Sequence, residues 1–190
     1  MGKVILVTGG ARSGKSSFSE RMLSGSRNVL YIATATAFDV EMRERIRLHR
    51  KQRSEEWETL EAFDDLEVRL AERDRIYEGI LLDCITVMTT NLLFHHQNFD
   101  ENNLATDFWM DFEKEVQMKL KKLIHKARTM SETFIMVTNE IGMGLVPETP
   151  FSRQFRDVAG RINQMLAEEA DEVYFVVSGI PMKIKERNLL

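Results

Sequence analysis

The sequence holds a single cysteine, Cys84, among its 190 residues, and only three prolines. One thiol cannot close an internal disulfide, and its place in an apolar run reads as a buried structural group. No stretch approaches the ~20 apolar residues that cross a bilayer. The apolar start of the chain ends by Thr8 in glycines, too short for a secretory leader with its cleavage site. The expectation is a soluble, cytoplasmic chain with no membrane insertion. An excess of positive charge is also missing: 26 Lys+Arg against 30 Asp+Glu leave a net charge of −4. That balance argues against a general nucleic-acid binder, whose basic surface raises the total, while leaving room for a local basic patch. Internal repeats and long polar tracts are absent as well. What is present is 43% hydrophobic content, and a globule of this size buries roughly 70% of its unfolded surface. Residues 1–190 therefore read as one domain.

The apolar pattern alternates between strand-like and helix-like segments. Val4-Ile5-Leu6-Val7-Thr8 is a continuous β-branched and apolar run, the pattern of a strand covered on both faces. Ser17 to Leu23 reads as a helix, Val29 to Thr34 as a strand, and Phe38 to Arg53 as a helix with Phe38, Met42 and Ile46 at helical spacing. Trp57 to Glu61 reads as a short extended piece, and Asp64 to Glu72 as a further helix. Gly79 to Asp83 is a buried strand, followed by a polar loop between Asn98 and Asn103 and an amphipathic helix from Phe112 to Met130. Thr133 to Thr138 is the next strand, and a Gly/Pro-rich crossing runs from Gly142 to Pro150. Phe151 to Ala170 is helical, Asp171 to Ser178 a strand, and Met182 to Ile184 a short strand in the tail. Strands separated by helices imply βα units, an α/β fold and a mostly parallel sheet. Ligands of such sheets gather beyond the carboxyl ends of the strands, here just after Thr8, Thr34, Asp83, Thr138 and Ser178.

The strongest motif follows the first strand. Gly9-Gly10-Ala11-Arg12-Ser13-Gly14-Lys15-Ser16 satisfies GxxxxGK[ST] between a strand and a helix. Its glycines let backbone N–H groups turn inward toward phosphate oxygens, and the helix start adds the positive end of its dipole. Lys15 reaches the terminal phosphates of ATP or GTP, and the Ser16 hydroxyl is a Mg²⁺ ligand. Asp83, at the end of Ile80-Leu81-Leu82-Asp83, has two readings: a carboxylate for Mg²⁺, or a cap for a helix starting at Ile85.

His49 sits in a cationic stretch with Arg43, Arg45, Arg47, Arg50, Lys51 and Arg53. A solvated face and a core-edge histidine are the plain readings. The alternative is a neutral imidazole that attacks phosphorus while the cations neutralise a triphosphate. His95 and His96 border a polar loop and read as surface residues, and His125 reads as a packing residue of its helix. Asn139 and Glu140, with Gly142 and Gly144, form either a constrained loop or one bent around a ligand. Arg153, Asp157 and Arg161 stand four apart on a polar helix that also carries Arg156, Asn163 and Gln164. Their spacing suits Arg153–Asp157 or Asp157–Arg161 pairs, and the helix suits either a substrate phosphate or a subunit contact.

Together these segments resemble the bifunctional adenosylcobinamide kinase and adenosylcobinamide-phosphate guanylyltransferase family from Ile5 to about Lys185. The likeness is carried by Val7 to Ser16, Tyr31-Ile32-Ala33-Thr34, Glu41-Met42 with Arg45-Ile46 and His49, and Trp57-Glu58-Thr59 with Glu61. It continues through Leu81 to Thr86, Thr90 to Leu93, Thr138-Asn139-Glu140, Gly142, Gly144, Val146-Pro147, Arg153, Phe155 to Asp157, Ala159 to Arg161, Asn163-Gln164 and Val176 to Gly179. The resemblance implies a RecA-like P-loop sheet flanked by helices and a homotrimer. It implies phosphorylation of adenosylcobinamide with ATP or GTP, then transfer of GMP from GTP to adenosylcobinamide phosphate. It casts His49 as the residue that carries GMP covalently. It adds Ala33, Thr34, Ala35, Arg50, Lys51, Gln52, Arg53, Glu61 and Asp83 to Gly9, Gly10, Ala11, Arg12, Ser13, Gly14, Lys15 and Ser16 as nucleotide contacts. Two positions depart from the family pattern: Ala35 replaces a common serine, and Asp83 is sometimes Glu. Glu61, Asp83 and Glu140 are candidate general bases for the kinase step. Two other readings fit the phosphate loop alone: a different small-molecule kinase with a structural His49, and a regulatory nucleotide-binding module.

Overall fold

The structure is a computed structural model and describes residues 1–35, 56–100 and 106–186. The helix expected from Phe38 to Arg53 lies wholly outside these residues. Among the described residues, seven strands form one sheet: β1 (Lys3–Thr8), β2 (Val29–Ala33), β3 (Glu58–Glu61), β4 (Tyr77–Asp83), β5 (Ser131–Val137), β6 (Glu172–Val177) and β7 (Ile180–Glu186). Their order is β3-β2-β4-β5-β1-β6-β7, and every neighbouring pair is parallel except β6–β7. The mostly parallel sheet flanked by helices that the sequence leads one to expect is what forms.

Strand side chains alternate between faces, so each buried strand feeds two cores. Val4, Leu6, Leu30, Ile32, Ile80, Leu82, Phe134 and Met136 meet helices α2 (Leu66–Ala71), α3 (Ile85–Phe94), α4 (Thr106–Met130) and α5 (Pro150–Glu169). Ile5, Val7, Tyr31, Leu81, Ile135 and Val137 face the other way, where α1 (Lys15–Met22) packs with Phe18, Met22 and Leu23. Gly79 leaves room on that side, because a Cβ there would stand 2.6 Å from Leu23 Cδ2.

Several boundaries differ from the sequence reading. Helix α4 starts six residues before Phe112, since Trp109 continues the apolar stripe and is buried. Helix α3, raised by the sequence only as a helix starting at Ile85, buries Ile85, Met88, Thr89, Asn91, Leu92 and Leu93, and burial on most sides blurs its helical period. The tail strand is longer than Met182 to Ile184 and turns back on β6 through Ser178 and Gly179, at φ 51° and 82°. Two left-handed residues make the primed two-residue turn that joins twisted antiparallel strands. The Ser-Gly pair was a readable hairpin signal. His125 is exposed on α4 rather than packed.

At the amino end of the sheet, Asp171 accepts from Val4 N–H and from Arg128 Nη1, each at 2.8 Å. Arg128 also donates to the carbonyls of Gly2 and Glu169, so one guanidinium ties three chain segments. Asp171→Ala leaves a largely buried guanidinium and a backbone N–H uncompensated. We expect a loss of about 3 kcal/mol of unfolding free energy, measured by urea denaturation with nucleotide affinity unchanged; an unaltered midpoint would discount this tie.

Candidate functional site

Sheet register brings the carboxyl ends of five strands into one transverse row. Glu61 pairs with Ala33, Ala33 with Asp83, Asp83 with Val137, and Val137 with Val7. The loop between β1 and α1 therefore opens two strands from Asp83, roughly 10 Å at the usual strand spacing. Glu61 is four strands from Val7, roughly 19 Å on the same spacing.

The loop itself is built for close approach. Gly9 lies at φ 153° and Gly14 at φ 97°, and a Cβ on Gly9 would stand 2.3 Å from the Val176 carbonyl oxygen. Gly14 caps α1 with no side-chain partner, and the first turn carries no acidic residue. Uncapped N–H groups and the dipole's positive end thus face the loop cavity, the arrangement that holds an anion. Buried hydroxyls of Thr8 and Ser13 have no hydrogen-bond partner among the described residues. The Ser13 hydroxyl is thus an available donor within the loop.

Lys15 is buried, and its ammonium donates to the Gly10 carbonyl at 2.6 Å. Burial lowers its pKa, opposed by Cys84 and Asp83. Ser16 follows it, half-buried, at the start of α1. Asp83 Oδ2 accepts the Tyr31 hydroxyl at 2.8 Å. The cap position of α3 belongs to Cys84, without a side-chain cap, so Asp83 does not serve as the helix cap. Burial pushes the Cys84 thiol up to about 11, with Asp83 adding to the shift, consistent with an inert structural thiol.

Neighbouring loops hold this frame. Thr34 is buried, and its hydroxyl donates to Cys84 O and accepts from Cys84 N–H, both at 2.8 Å, while Asn91 Nδ2 donates to Thr34 O. Ala33 and Ala35 flank it, so the side chain of this segment's central residue braces β2 against β4. The Glu140 N–H donates to Gly9 O at 2.9 Å, and Gly179 N–H donates to Ser13 O at 2.8 Å. The hairpin turn thus touches the phosphate loop, a contact that sequence reasoning missed.

Beyond β5 a closed ring of hydrogen bonds forms. Asn139 N–H donates to Thr86 Oγ1 at 2.8 Å, and Thr86 Oγ1 lies 3.2 Å from Thr138 Oγ1. Thr138 donates to Asn163 Oδ1 at 2.8 Å, and Asn163 Nδ2 returns to Asn139 O at 3.1 Å. Since Thr138 donates to Asn163, Thr86 is the donor within the threonine pair. Asn163 is thereby committed to the ring. The pairings suggested by spacing on α5 do not form: Arg156 pairs with Asp157, Arg161 with Glu113 at 2.8 Å, and Arg153 donates to the Pro147 and Glu148 carbonyls.

His95 is exposed, with Nδ1 2.8 Å from Asn91 O. His96 is half-buried, contrary to a surface reading, and stands edge-on to Phe108 and Phe112. Among the described residues no three His, Cys, Asp or Glu side chains gather as a metal site. The resemblance-derived residues His49, Arg50, Lys51, Gln52 and Arg53 lie outside the described residues.

A buried strand, a glycine loop ending in Lys-Ser, an uncapped helix and a carboxylate two strands away define a P-loop nucleotide-binding protein. The chain also shares its fold, at a TM-score of 0.59 and 11% identity, with an ATPase of a bacterial type III secretion system. That alignment covers 98% of this chain and 57% of the ATPase. The family model described as cobinamide kinase / cobinamide phosphate guanyltransferase matches residues 5–184. The bifunctional adenosylcobalamin biosynthesis protein CobU of Escherichia coli (strain K12) is 44% identical over 182 residues, covering 96% of this chain and 99% of the relative. CobU of Salmonella typhimurium is likewise 44% identical over 96% of this chain and 99% of the relative. CobP of Pseudomonas aeruginosa is 36% identical over 95% of this chain and 96% of the relative. The chain belongs to the cobinamide kinase / cobinamide phosphate guanyltransferase family.

The loop geometry makes Gly9 a sharp test. Gly9→Ala forces Cβ against a backbone carbonyl at the end of β6. Titration calorimetry should show nucleotide affinity falling by roughly tenfold or more, about 1.4 kcal/mol. Gly25→Ala, where an added Cβ meets nothing within 4 Å, should leave affinity unchanged; equal effects of the two would refute this view of the loop.

Proposed function

We propose that this single domain catalyses both reactions of its family at one nucleotide site. It is a bifunctional enzyme that phosphorylates adenosylcobinamide and then transfers GMP to adenosylcobinamide phosphate. The observation that carries this reading is the phosphate loop at the end of buried β1, in a chain that matches the family over residues 5–184. A homotrimer and a cytoplasmic setting belong to the same proposal. It is supported by the family resemblance and, for the setting, by the lack among the described residues of a helix long and apolar enough to cross a membrane.

In the kinase step the loop N–H groups and Lys15 hold the terminal phosphates of ATP or GTP and offset the charge that builds up on them. The Lys15 ammonium exchanges its Gly10 carbonyl partner for a phosphate oxygen. The substrate hydroxyl attacks the γ-phosphorus, loses its proton to a base, and the nucleoside diphosphate leaves. Of the candidate bases, Asp83 stands about 10 Å from β1 by strand spacing and Glu61 about twice that. Glu140 is fastened by its own N–H to Gly9 O. Distance therefore supports Asp83 or Glu140, rather than Glu61, near the phosphates.

Mg²⁺ fits the oxygen donors at this site. Ser16 Oγ and the Asp83 carboxylate are hard ligands, and Mg²⁺ commonly takes one or two protein oxygens beside substrate phosphates and water. When bound, it would supply charge neutralisation to the nucleotide phosphates. The Tyr31 hydroxyl donates to Asp83 Oδ2 and so orients the carboxylate.

In the second reaction a nitrogen of His49 attacks the α-phosphorus of GTP, pyrophosphate leaves, and a P–N bond forms. A phosphate oxygen of adenosylcobinamide phosphate then attacks the same phosphorus, and the histidine departs with the P–N electron pair. Arg50, Lys51 and Arg53 supply cations for the triphosphate.

Two outcomes follow. Lys15→Ala should lose both reactions even at saturating nucleotide, by about a hundredfold or more if phosphate stabilisation is its role; normal turnover in both assays overturns the site. Incubation with α-labelled GTP should leave GMP on His49 by peptide mass spectrometry, whereas γ-label should depart with pyrophosphate. His49→Ala should lose the adduct and guanylyl transfer while keeping kinase turnover, and a folded variant with undiminished transfer would exclude His49.

A further inference from the structure

The loop leaving the hydrogen-bonded ring carries Ile141-Gly142-Met143-Gly144-Leu145-Val146-Pro147, without one charged residue, between Glu140 and Glu148. Its large side chains face water: Met143 is 76% exposed, Leu145 96% and Val146 68%. Exposed apolar side chains are ordinary singly, but three within four residues at the mouth of a site call for an occupant. Both ends of the loop are held. Glu140 N–H bonds Gly9 O, Glu140 Oε1 accepts from Gly142 N–H at 2.7 Å, and Arg153 Nη1 grips the carbonyls of Pro147 and Glu148. The apolar tip is therefore presented from a braced base that is hydrogen-bonded to the phosphate loop.

The geometry points to this loop as the seat of the corrinoid substrate, a role that rests on the kinase–guanylyltransferase reading above. Met143, Leu145 and Val146 lie against the apolar rim of the macrocycle, and Glu140 and Glu148 face its charge and its amide N–H groups. Three properties select that occupant. Cobinamide is a cobalt(III) macrocycle with apolar methyl edges, peripheral amides and net positive charge, which complements an uncharged patch bracketed by carboxylates. A nucleotide is the poorer occupant because the tip offers no cation to its phosphates, which the helix dipole and Lys15 attract at the loop between β1 and α1. These three side chains expose on the order of 400 Å², against about 800 Å² per partner in a stable interface, so the loop does not by itself make a subunit contact. The loop also has the right reach. Leu145 is five residues from Glu140, so at most roughly 18 Å of chain separates it from the contact with Gly9. A macrocycle seated there extends its aminopropanol arm toward the phosphates while its bulk stays outside the loop.

The test uses the full chain with Leu145→Ser and Val146→Ser combined, and separately Glu148→Lys. Initial rates of cobinamide phosphorylation are measured against cobinamide at saturating nucleotide and against nucleotide at saturating cobinamide, with sedimentation to report assembly. The double variant should raise KM for cobinamide roughly tenfold, with KM for nucleotide and sedimenting mass unchanged. Leu145→Met with Val146→Ile should retain the parent value. Glu148→Lys, at an exposed side chain, should also raise KM for cobinamide and provides the same reading should the serine variant not fold. Parent-like KM for cobinamide in a folded serine variant overturns the inference, as does a changed mass with that KM intact, which assigns the loop to subunit contact. Parent protein that turns over no cobinamide sinks the functional reading itself, and this inference with it.

Discussion

Parallel pairing of β1 with β5 and β6 is the constraint on which the rest of the site depends. The loop after β1 must hold backbone N–H groups pointing inward, a conformation that glycines permit but do not by themselves stabilise. Both flanking strands deliver the brace: Glu140, just beyond β5, bonds Gly9 O, and Gly179, just beyond β6, bonds Ser13 O. The same pairing sets the depth of the cavity, since Val7 lies level with Val137 and Val137 with Asp83. A slip of one residue in either ladder would turn the β5 side chains to the wrong faces and displace the carboxylate from the loop.

A second layer of polar contacts keeps the strand ends in register where hydrophobic packing gives out. Thr34 locks β2 to the start of α3 through both hydrogen-bonding roles of its hydroxyl, and Asn91 holds Thr34 from that helix. The ring of Thr86, Thr138, Asn139 and Asn163 does the same for β4, β5 and α5. Within these two networks donors meet acceptors, as buried polar groups require. These residues hold the loops in place, and Lys15, Ser16 and the Ser13 hydroxyl take no part in either network.

How much could be read in advance differs between elements for physical reasons. Strands β1, β2, β4 and β5 are covered on both faces, and continuous Val, Ile and Leu runs announce them. The phosphate loop was legible because its chemistry needs glycines and Lys-Ser at fixed spacing after a strand. Helix α3 was legible only as a start at Ile85, because a helix buried on most sides lacks a polar face to set a period. Arg153, Asp157 and Arg161 misled because four-residue spacing permits pairing, yet Glu113 on α4 and the carbonyls before α5 competed successfully for the two arginines. His125 lies on a helix whose apolar stripe passes beside it, so proximity to that stripe did not mean burial.

By itself, the sequence determined most of the strands and helices, which loop carries the phosphate-binding motif, and which family the chain resembles. All three depend on local residue order, through side-chain alternation, backbone permissiveness and motif spacing. Only the tertiary structure decided that Asp83 stands two strands from the loop and Glu61 four. It also decided that the Ser178-Gly179 turn touches Ser13, and that Asn163 closes a ring with residues far away in the chain. Strand order and register arise from pairing between distant segments, driven by the burial of whole faces at once. No local pattern carries that choice, because several strand orders bury the same side chains.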